Sequence, residues 1–421
     1  MYLGIGLYKN MLTPQNFRFA RQCSCTHIVA HLANYYVNSI VPTTDAKQNY
    51  GHTAQDDVWS YDALLRLRRQ VETEGLKLHA IENFCPSMWY DILLDGPRKR
   101  EQMERLKLLI RDVGKAGIPV FGYNFSIAGV WGHTRRNAAR GGADTACFDY
   151  EDGGAEYPIP NGEVWNMTYD DHPRPGYLKS TTPEALWARL KWFLDELLPV
   201  AEDAGVRLAA HPDDPPMPFI RGHARLVYRP DLYQKLADLH PSDSNCFEFC
   251  MGSIQEMQGG DIYEAIRRYA PQNKLAYIHF RNVHGKVPHY QETFVDDGDI
   301  DMLKALKVLR DCDYHGVLIP DHTPQMDCDA PWHSGMAYAL GFMRAALRAM
   351  SKVPPPAIRS MPMPVSDLRK SFLARFAAGE AAGSRSTAGL ANASAVSAVH
   401  SPLAGFASNS RRNSASNRSA I

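Results

Sequence analysis

The 421-residue chain carries 46 basic and 46 acidic residues, so its formal net charge is zero. This balance offers no field that would attract nucleic acid or an anionic membrane surface, and neither is expected as a partner. Hydrophobic residues make up 45% of the chain, yet no stretch approaches the roughly 18 uncharged apolar residues of a membrane-spanning helix. We therefore expect a large globular core and a small-molecule ligand.

The N-terminus and the cysteines bear on the compartment. The chain begins MYLGIGLYKN, without the basic leader and apolar run of a secretory signal. Its eight cysteines show no C-x-x-C spacing, and a chain of this length needs no disulfide framework. These features predict a cytoplasmic protein with mostly reduced thiols.

Through about residue 350, short apolar runs alternate with longer amphipathic segments, which is typical of repeated strand–helix units. The expected strands, in chain order, are 3–7, 26–32, 77–83, 120–126, 207–213, 246–252, 276–282 and 316–322. The expected helices are Pro14–Cys23, Tyr61–Glu74, Arg98–Lys115, Pro183–Ala204, Asp231–Leu239, Ile262–Tyr269, Met302–Cys312 and His333–Met350. Eight such units predict an α/β fold, the (β/α)₈ TIM barrel.

Two connections are too long to be ordinary loops. Residues 127–180 are rich in Gly, Asp, Pro and Tyr without clear periodicity, and residues 214–229 follow a strand directly. In a barrel both follow strand ends, so we expect them to cover the same face and to act as lids or substrate walls.

The composition changes near Val353. Residues 354–365 read PPPAIRSMPMPV, and the remainder is rich in Ala, Ser, Asn and Gly with few large apolar side chains. Such a segment cannot bury enough surface to offset its ordering entropy. We therefore divide the chain into a TIM-barrel domain, 1–352, and a low-complexity tail, 353–421, expected to be disordered.

Polar residues end most of the later strands, where packing alone would favour apolar ones. The carboxyl ends of barrel strands converge on one mouth, the usual place of catalytic groups. Strands three and four end in Glu82–Asn83 and Tyr123–Asn124. The last four strands end in His211, Cys250, His279 with Arg281, and Asp321–His322.

Two imidazoles, a thiolate and a carboxylate form a donor set for a divalent transition metal with positions left open for substrate oxygens. Taken singly, each of His211, Cys250, His279 and Asp321 is more often structural: a bonded histidine, an inert thiol or a cap. Their equivalent places on four consecutive strands favour the metal site. The thiolate argues against Mg²⁺ and Ca²⁺ and leaves Mn²⁺, Fe²⁺, Co²⁺ and Zn²⁺.

At these residues the sequence resembles the mannonate dehydratase family of the metal-dependent barrel type, from the first strand to about residue 345. The most specific element is AAHPDDPP (209–216), preceded by PVAEDAGVRL. The others, in the family's order, are YNF (123–125), CMGS (250–253), IHFRN (278–282), GDIDM (298–302) and PDH (320–322). The family's metal ligands fall on the same four residues that the strand ends select.

The resemblance implies dehydration of a sugar acid, D-mannonate, to 2-dehydro-3-deoxy-D-gluconate, with Mn²⁺ or Fe²⁺ as the favoured metal. His322 becomes the leading acid/base candidate for loss of the C2 proton and the C3 hydroxyl. Arg281 is expected to bind the substrate carboxylate or the developing oxyanion, with a solvated surface arginine as the alternative. The residues expected to contact substrate hydroxyls or support the site are Tyr123, Asn124, Asp213, Asp214 and Glu292.

Several positions depart from the family pattern. Tyr290–Gln291–Glu292 stands where Phe-His-Glu is usual, Ile319 replaces an Arg, and Thr323–Pro324 replaces Gly-His. The Pro-Gly-Tyr segment near the last helix reads Pro331–Trp332–His333, so His333 is a candidate replacement for the tyrosine as proton donor. These changes leave the metal set intact and alter the residues that handle protons, so the reaction type is better supported than the sugar.

Two other functions remain open. A metal-dependent sugar isomerase or epimerase shares the first proton abstraction but expels no hydroxyl. A non-catalytic barrel that binds sugar acids would result if the departures abolish turnover. The sequence does not decide whether the barrel forms a homo-oligomer.

Overall fold

The computed structural model describes residues 1–33, 59–152 and 154–350. The predicted tail, 353–421, lies outside the described residues. The strands are β1 (Tyr2–Leu7), β2 (His27–His31), β3 (Lys77–Glu82), β4 (Val120–Tyr123), β5 (His133–Ala139), β6 (Ala143–Asp149), β7 (Glu163–Val164), β8 (Met167–Thr168), β9 (Arg207–Ala210), β10 (Phe219–Ile220), β11 (His223–Ala224), β12 (Asn245–Cys250), β13 (Leu275–His279), β14 (Asn282–Lys286), β15 (His289–Thr293) and β16 (Val317–Ile319).

Helices alternate with the barrel strands. They are α1 (Pro14–Gln22), α2 (Tyr61–Thr73), α3 (Tyr90–Leu94), α4 (Lys99–Lys115), α5 (Pro183–Ala204), α6 (Leu232–Leu239), α7 (Met251–Glu256), α8 (Ile262–Tyr269), α9 (Met302–Asp311) and α10 (Pro331–Met350), with 3₁₀ turns at Lys9–Met11, Pro86–Met88 and Arg140–Gly142. No described helix is both long and apolar enough to cross a bilayer.

Eight parallel strands close into a barrel in the order β1-β16-β13-β12-β9-β4-β3-β2. All eight predicted strands are present, and the predicted TIM barrel is confirmed. Except for β1, the strands end earlier than the apolar runs indicated. β9 ends at Ala210, two residues before Pro212, and β16 ends at Ile319, directly before Pro320; proline has no N–H to donate to the ladder.

The predicted helix starts follow from local capping. The Thr182 hydroxyl accepts a hydrogen bond from the amide of Ala185 at 3.3 Å, and Pro183 occupies the first position of α5. The helix ends at Gly205, whose φ of 67° is a left-handed conformation that glycine adopts without penalty.

Apolar side chains fill both sides of the barrel wall. The lower barrel interior is packed with small and branched residues, among them Val29, Ala80, Val120, Ala209 and Cys246. Outside the wall, a larger core joins the strands to the helices. Cys246, in the interior layer, is fully buried.

A second sheet was not expected from the sequence. Four antiparallel strands form this sheet in the order β14-β15-β6-β5, with Tyr290 opposite Phe148 and Thr134 opposite Cys147. Two of its strands come from the long connection after β4, and the other two follow β13 almost directly. We call these four strands the cover sheet. Since it continues from the carboxyl ends of β4 and β13, it lies on the mouth side of the barrel.

Candidate metal centre and active site

The barrel interior changes from apolar to polar toward its mouth. Side chains two residues apart on a strand share a face, so the residues two positions beyond the lower apolar layer also point inward. From Ala80, Ala209 and Cys246 this rule leads to Glu82, His211 and Glu248. The interior therefore ends in a layer of groups that can bind a proton or a metal.

Three predicted ligands meet in this layer. One ligand atom from each of His211, Cys250 and His279 lies within 4.8 Å of the others. The Nδ1 of His211 lies 2.6 Å from the carbonyl oxygen of Pro212, a contact that leaves Nε2 for a cation. Cys250 and His279 are the last residues of neighbouring strands and lie opposite each other in register.

Asp321, the fourth predicted ligand, lies beside them. Its Oδ2 is 3.3 Å from Nδ1 of His279, and its side chain is 13% exposed. The residue has a φ of 63°, a backbone conformation that aspartate tolerates better than most residues. Burial alone would raise the pKa of Asp321, but His279 and His322 hold it well below its usual range.

The Cys250 sulfur is in surroundings that favour the thiolate. It accepts a hydrogen bond from the amide of Ser253 at 3.4 Å, at the start of α7. Burial opposes ionisation, yet Arg281 and His211 bring the pKa of Cys250 well below its ordinary value. A thiolate is the form of cysteine that binds metals.

The donor set fits a transition metal. It combines imidazole, thiolate and carboxylate, a mixture suited to such an ion. Among the described residues, neither ring nitrogen of His279 takes part in a hydrogen bond, although the residue is only 2% exposed. Buried polar atoms normally have partners, so the ring has a nitrogen available as a ligand.

Arg281 is placed differently from our expectation. Its side chain is 1% exposed, and its two terminal nitrogens lie 2.5 Å from Glu292 and 2.6 Å from Asp214. One terminal nitrogen also lies 3.3 Å from the Cys250 sulfur, and Nε lies 3.4 Å from Asp321. The guanidinium is therefore not solvated, and its terminal nitrogens already contact protein carboxylates. It holds the acidic side of the site together.

His322 is the most open of the titratable groups at the site. Its side chain is 38% exposed, its Nδ1 lies 2.9 Å from Glu292, and its Nε2 lies 3.6 Å from Asp321. Burial alone would lower its pKa, but these two carboxylates raise the pKa of His322 to about 9. It lines a cleft whose walls are Tyr8, Arg135, Ala146, Glu292, Asp321, Thr323, Gln325, Trp332 and Met336.

Asp214 anchors a buried network between the barrel and the cover sheet. Its Oδ1 accepts a hydrogen bond from the Tyr290 hydroxyl at 2.7 Å, and its Oδ2 accepts one from Ser253 at 2.8 Å. The Tyr290 hydroxyl also lies 2.6 Å from Nε2 of His133. Despite burial, Arg281 and His133 hold the pKa of Asp214 well below its usual range. Asp214 therefore contacts residues that surround the candidate ligands and is not itself directed at the cleft.

The other expected substrate contacts also face the protein. Asp213 pairs with Arg225 at 2.6 Å and accepts hydrogen bonds from the amides of residues 226 and 227. Asn124 donates to the Pro212 carbonyl at 3.2 Å, and Tyr123 is fully buried. Of the five residues in this group, Glu292 alone is among the cleft residues given above.

His333 does not join the site residues. Its Nε2 lies 3.0 Å from Oδ1 of Asn16 on α1, and its ring packs edge-on against Phe19 and Trp332. These contacts give it no place among the groups around His322. That His333 replaces the family's tyrosine stays a prediction, and these contacts do not support it.

Sequence reasoning missed Glu248, a carboxylate below the candidate metal ligands, and noted Glu82 only as a polar strand end. Glu248 is fully buried, and its Oε1 lies 3.1 Å from Nε2 of His279. Glu82 lies 3.5 Å from the same nitrogen and 3.6 Å from His31. Burial and Glu82 raise the pKa of Glu248, whereas His31 and His279 lower that of Glu82 despite its burial. The signal in the sequence was a glutamate between two phenylalanines in a buried strand.

Comparisons with known proteins point to one family. A family model described as D-mannonate dehydratase (UxuA) matches residues 17–157 and 175–352. Mannonate dehydratase of Streptococcus pneumoniae (strain 70585) is 31% identical over 315 residues, covering 70% of this chain and 85% of that protein. Mannonate dehydratase 2 of Halalkalibacterium halodurans is 29% identical over 275 residues, covering 63% and 79%.

Solved structures extend the comparison to the fold. The crystal structure of mannonate dehydratase from Streptococcus suis serotype 2 has a TM-score of 0.65 and 26% identity, covering 87% of this chain and 99% of that one. A xylose isomerase domain protein from Planctomyces limnophilus has a TM-score of 0.50 at 12% identity, covering 83% and 98%. The second likeness concerns the barrel fold alone.

Proposed function

This chain belongs to the D-mannonate dehydratase family and is thus a hydro-lyase, and we propose that it converts D-mannonate to 2-dehydro-3-deoxy-D-gluconate. The observation that carries the proposal is the meeting of His211, Cys250 and His279 beside a cleft that His322 lines. A donor set and an exposed acid/base group at one strand-end face are what metal-assisted dehydration requires.

We propose His211, Cys250, His279 and Asp321 as the residues that hold a divalent transition metal, Mn²⁺ or Fe²⁺. When bound, such an ion polarises the substrate carboxylate and stabilises the negative charge that develops as the C2 proton leaves. Arg281 keeps Cys250 and Asp321 in place through contacts of 3.3 and 3.4 Å. This buried arginine thus acts on the ligands and not on the substrate.

His322 is the proposed acid/base group. Its Nδ1 is held 2.9 Å from Glu292, an arrangement that fixes the ring and directs its other nitrogen away from Glu292. Against the effect of burial, Asp321 and Glu292 raise the pKa of His322, and a cation bound to Asp321 would offset part of that rise and favour the neutral ring. The neutral imidazole takes the proton from C2, and the imidazolium then gives a proton to the departing C3 hydroxyl, which leaves as water. One group can serve both steps because the two positions are adjacent on the sugar acid.

The walls of the cleft contribute positioning and exclusion of water. Trp332 and Met336 contribute apolar residues to the lining, and Arg135 and Ala146 come from the cover sheet. Arg135 is held by Asp144, with Nε 2.6 Å from Oδ2. A substrate enclosed between these walls meets few waters, which strengthens each electrostatic contact with it.

The experiment is turnover of a panel of aldonates by metal-stripped protein, with and without added Mn²⁺, with detection of the 2-keto-3-deoxy acid. Metal-dependent product from D-mannonate is expected. The His322→Asn variant should retain bound metal and lose at least roughly 100-fold in rate, the usual contribution of a general acid or base.

Other outcomes would change the assignment. Product from a different aldonate would keep the reaction and change the substrate. An isomerised or epimerised sugar without loss of water would replace the proposal by the isomerase alternative. Tight aldonate binding without any product would favour a binding protein.

A further inference from the structure

Glu248 occupies a position that neither packing nor the proposed chemistry explains. It lies in the middle of β12, between Phe247 and Phe249, and is fully buried. Neither carboxylate oxygen has a hydrogen-bond partner among the described residues. A buried carboxylate without a hydrogen-bond or ion-pair partner is strongly unfavourable, so a partner for Glu248 is expected nearby.

The nearest such group is His279. The two nitrogens of this ring face different neighbours: Nδ1 lies 3.3 Å from Oδ2 of Asp321, and Nε2 lies 3.1 Å from Oε1 of Glu248. Asp321 is one of the four proposed ligands, whereas Glu248 lies one inward position deeper on the strand than Cys250. Nδ1 is thus the nitrogen on the metal side, and Nε2 is directed into the barrel.

The neighbouring Glu82 is already occupied. Its Oε2 accepts a hydrogen bond from the Tyr277 hydroxyl at 3.1 Å, and its Oε1 lies 3.6 Å from His31. Its distance to Nε2 of His279 is longer, 3.5 Å. Glu248 is therefore the carboxylate left for His279.

The backbone leaves room for Glu248. A Cβ added at Gly122 on β4 would meet Oε2 of Glu248 and the hydroxyl of Tyr277, each closer than a carbon atom allows. Glycine at this position lets the carboxylate fit beside the strand. The glycine on β4 thus leaves the space that the Glu248 side chain on β12 occupies.

We propose that Glu248 is a positioning residue for the metal centre: it accepts the Nε2 proton of His279 and so leaves the Nδ1 lone pair for the metal. A carboxylate behind a metal-binding imidazole fixes both its tautomer and its orientation and strengthens it as a ligand. The proposal rests on the proposed metal site, and it adds a requirement that the ligand set alone does not contain.

The test compares Mn²⁺ affinity, by chelator competition, in the full-length wild type and three variants. Glu248→Gln keeps the shape and removes the charge, and it should weaken binding roughly 10–100-fold. Glu82→Gln should weaken it less, because its contact with His279 is longer and its oxygens are used elsewhere. Cys246→Ala is the matched control: it points inward from the same strand and lies in the apolar interior layer, so it should lower stability and leave affinity unchanged.

Metal stoichiometry and unfolding of the metal-free proteins complete the test. One Mn²⁺ per wild-type chain, with metal-free Glu248→Gln as stable as the wild type or more so, is expected. Unchanged affinity in Glu248→Gln would overturn the proposal. Two Mn²⁺ per wild-type chain, falling to one in the variant, would also overturn it and make Glu248 a ligand. Should Glu248→Gln fail to fold, Glu248→Met replaces it, because it removes the buried polar group altogether at similar volume; affinity equal to that of the wild type would overturn the proposal in the same way.

These outcomes are separable from those of the proposed function. A wild type that binds Mn²⁺ yet dehydrates no aldonate would refute the dehydratase proposal and leave the effect of Glu248 on affinity intact. A wild type that turns over D-mannonate alongside a Glu248→Gln variant of normal affinity would refute the positioning role alone.

Discussion

One terminal nitrogen of Arg281 lies 3.3 Å from the sulfur of Cys250, and the arginine side chain is 1% exposed. A cation so close to a buried sulfur favours the thiolate over the thiol. The same guanidinium contacts Asp214 and Glu292, so one residue compensates several buried negative charges. The site is therefore organised around a buried arginine whose terminal nitrogens contact protein carboxylates.

Arg281→Met is expected to lower the free energy of unfolding by about 3–5 kcal/mol, because it leaves buried carboxylates without their cation. Metal content should fall with it, since Cys250 and Asp321 lose their support. Urea unfolding and metal analysis measure both effects. A selective rise in KM at unchanged stability would instead mean that the guanidinium serves the substrate.

Cys250→Ser and His211→Ala should lower metal content and turnover together, each by at least roughly 10-fold, because each removes a donor atom from the cluster. Metal analysis after dialysis and the 2-keto-3-deoxy acid assay give the two readouts. Cys328→Ser, at an exposed cysteine, is the control and should change neither. Full metal and full rate in either ligand variant would show that the site is assigned wrongly.

The sequence could predict the barrel because each strand is a local apolar run, and it could suggest candidate ligands because polar residues follow those runs. The cover sheet was harder. Gly141 and Gly142 have φ of 72° and 78°, a pair suited to a hairpin turn, and a Gly-Gly signal was present. The strand before it reads HTRRNAA, whose polar residues hide the alternation of a half-buried strand.

The roles of individual residues in the site could not be predicted from the sequence alone. Arg281 has the same strand-end signature as a ligand or substrate contact, whereas Glu248 lies within a buried strand like a core residue. What decides their roles is the partner: Glu292 on β15 for the first, His279 on β13 for the second. Such pairs form across strands, and sequence spacing does not specify which side chains will meet.

Tyr290→Phe removes the hydroxyl that lies 2.7 Å from Asp214 and 2.6 Å from His133. It leaves two buried polar groups without this partner, so a loss of about 1–3 kcal/mol in unfolding free energy is expected. The change also restores the phenylalanine that the family pattern favours at this position. Tyr177→Phe, at a side chain 63% exposed, should be neutral. Equal stability of the Tyr290→Phe variant and the wild type would mean that the hydrogen bonds of this hydroxyl make no net contribution to the free energy of unfolding.

Truncation after Ser351 should leave thermal unfolding and turnover nearly unchanged. The described barrel elements end at Met350, and the family match ends at residue 352. Differential scanning calorimetry and the product assay on the shortened chain test this expectation. A drop in melting temperature or rate would show that residues 352–421 contribute to the barrel.

At the opposite end of the barrel, His27 and His79 should make stability fall in mild acid. Burial lowers the pKa of each to about 4, with Lys77 adding to the effect at His27 and His27 adding to it at His79. In the unfolded chain the pKa of a histidine is near 6.5. Below that pH the unfolded state therefore binds protons at these two residues, whereas the folded state leaves both rings neutral until the pH approaches 4. Their contribution is thus complete above about pH 6.5 and is lost as the pH falls toward 4.

The loss is expected to be roughly 1–3 kcal/mol per histidine. The two rings meet edge-to-face with centroids 5.6 Å apart, so their titrations are coupled and the double variant His27→Gln with His79→Gln is the informative one. In metal-free protein, its unfolding free energy should vary less with pH between 6.5 and 4 than that of the wild type. His315→Gln, at an exposed histidine paired with Asp313, should follow the wild-type profile. If the double variant also followed it, the acid sensitivity would have to come from other groups.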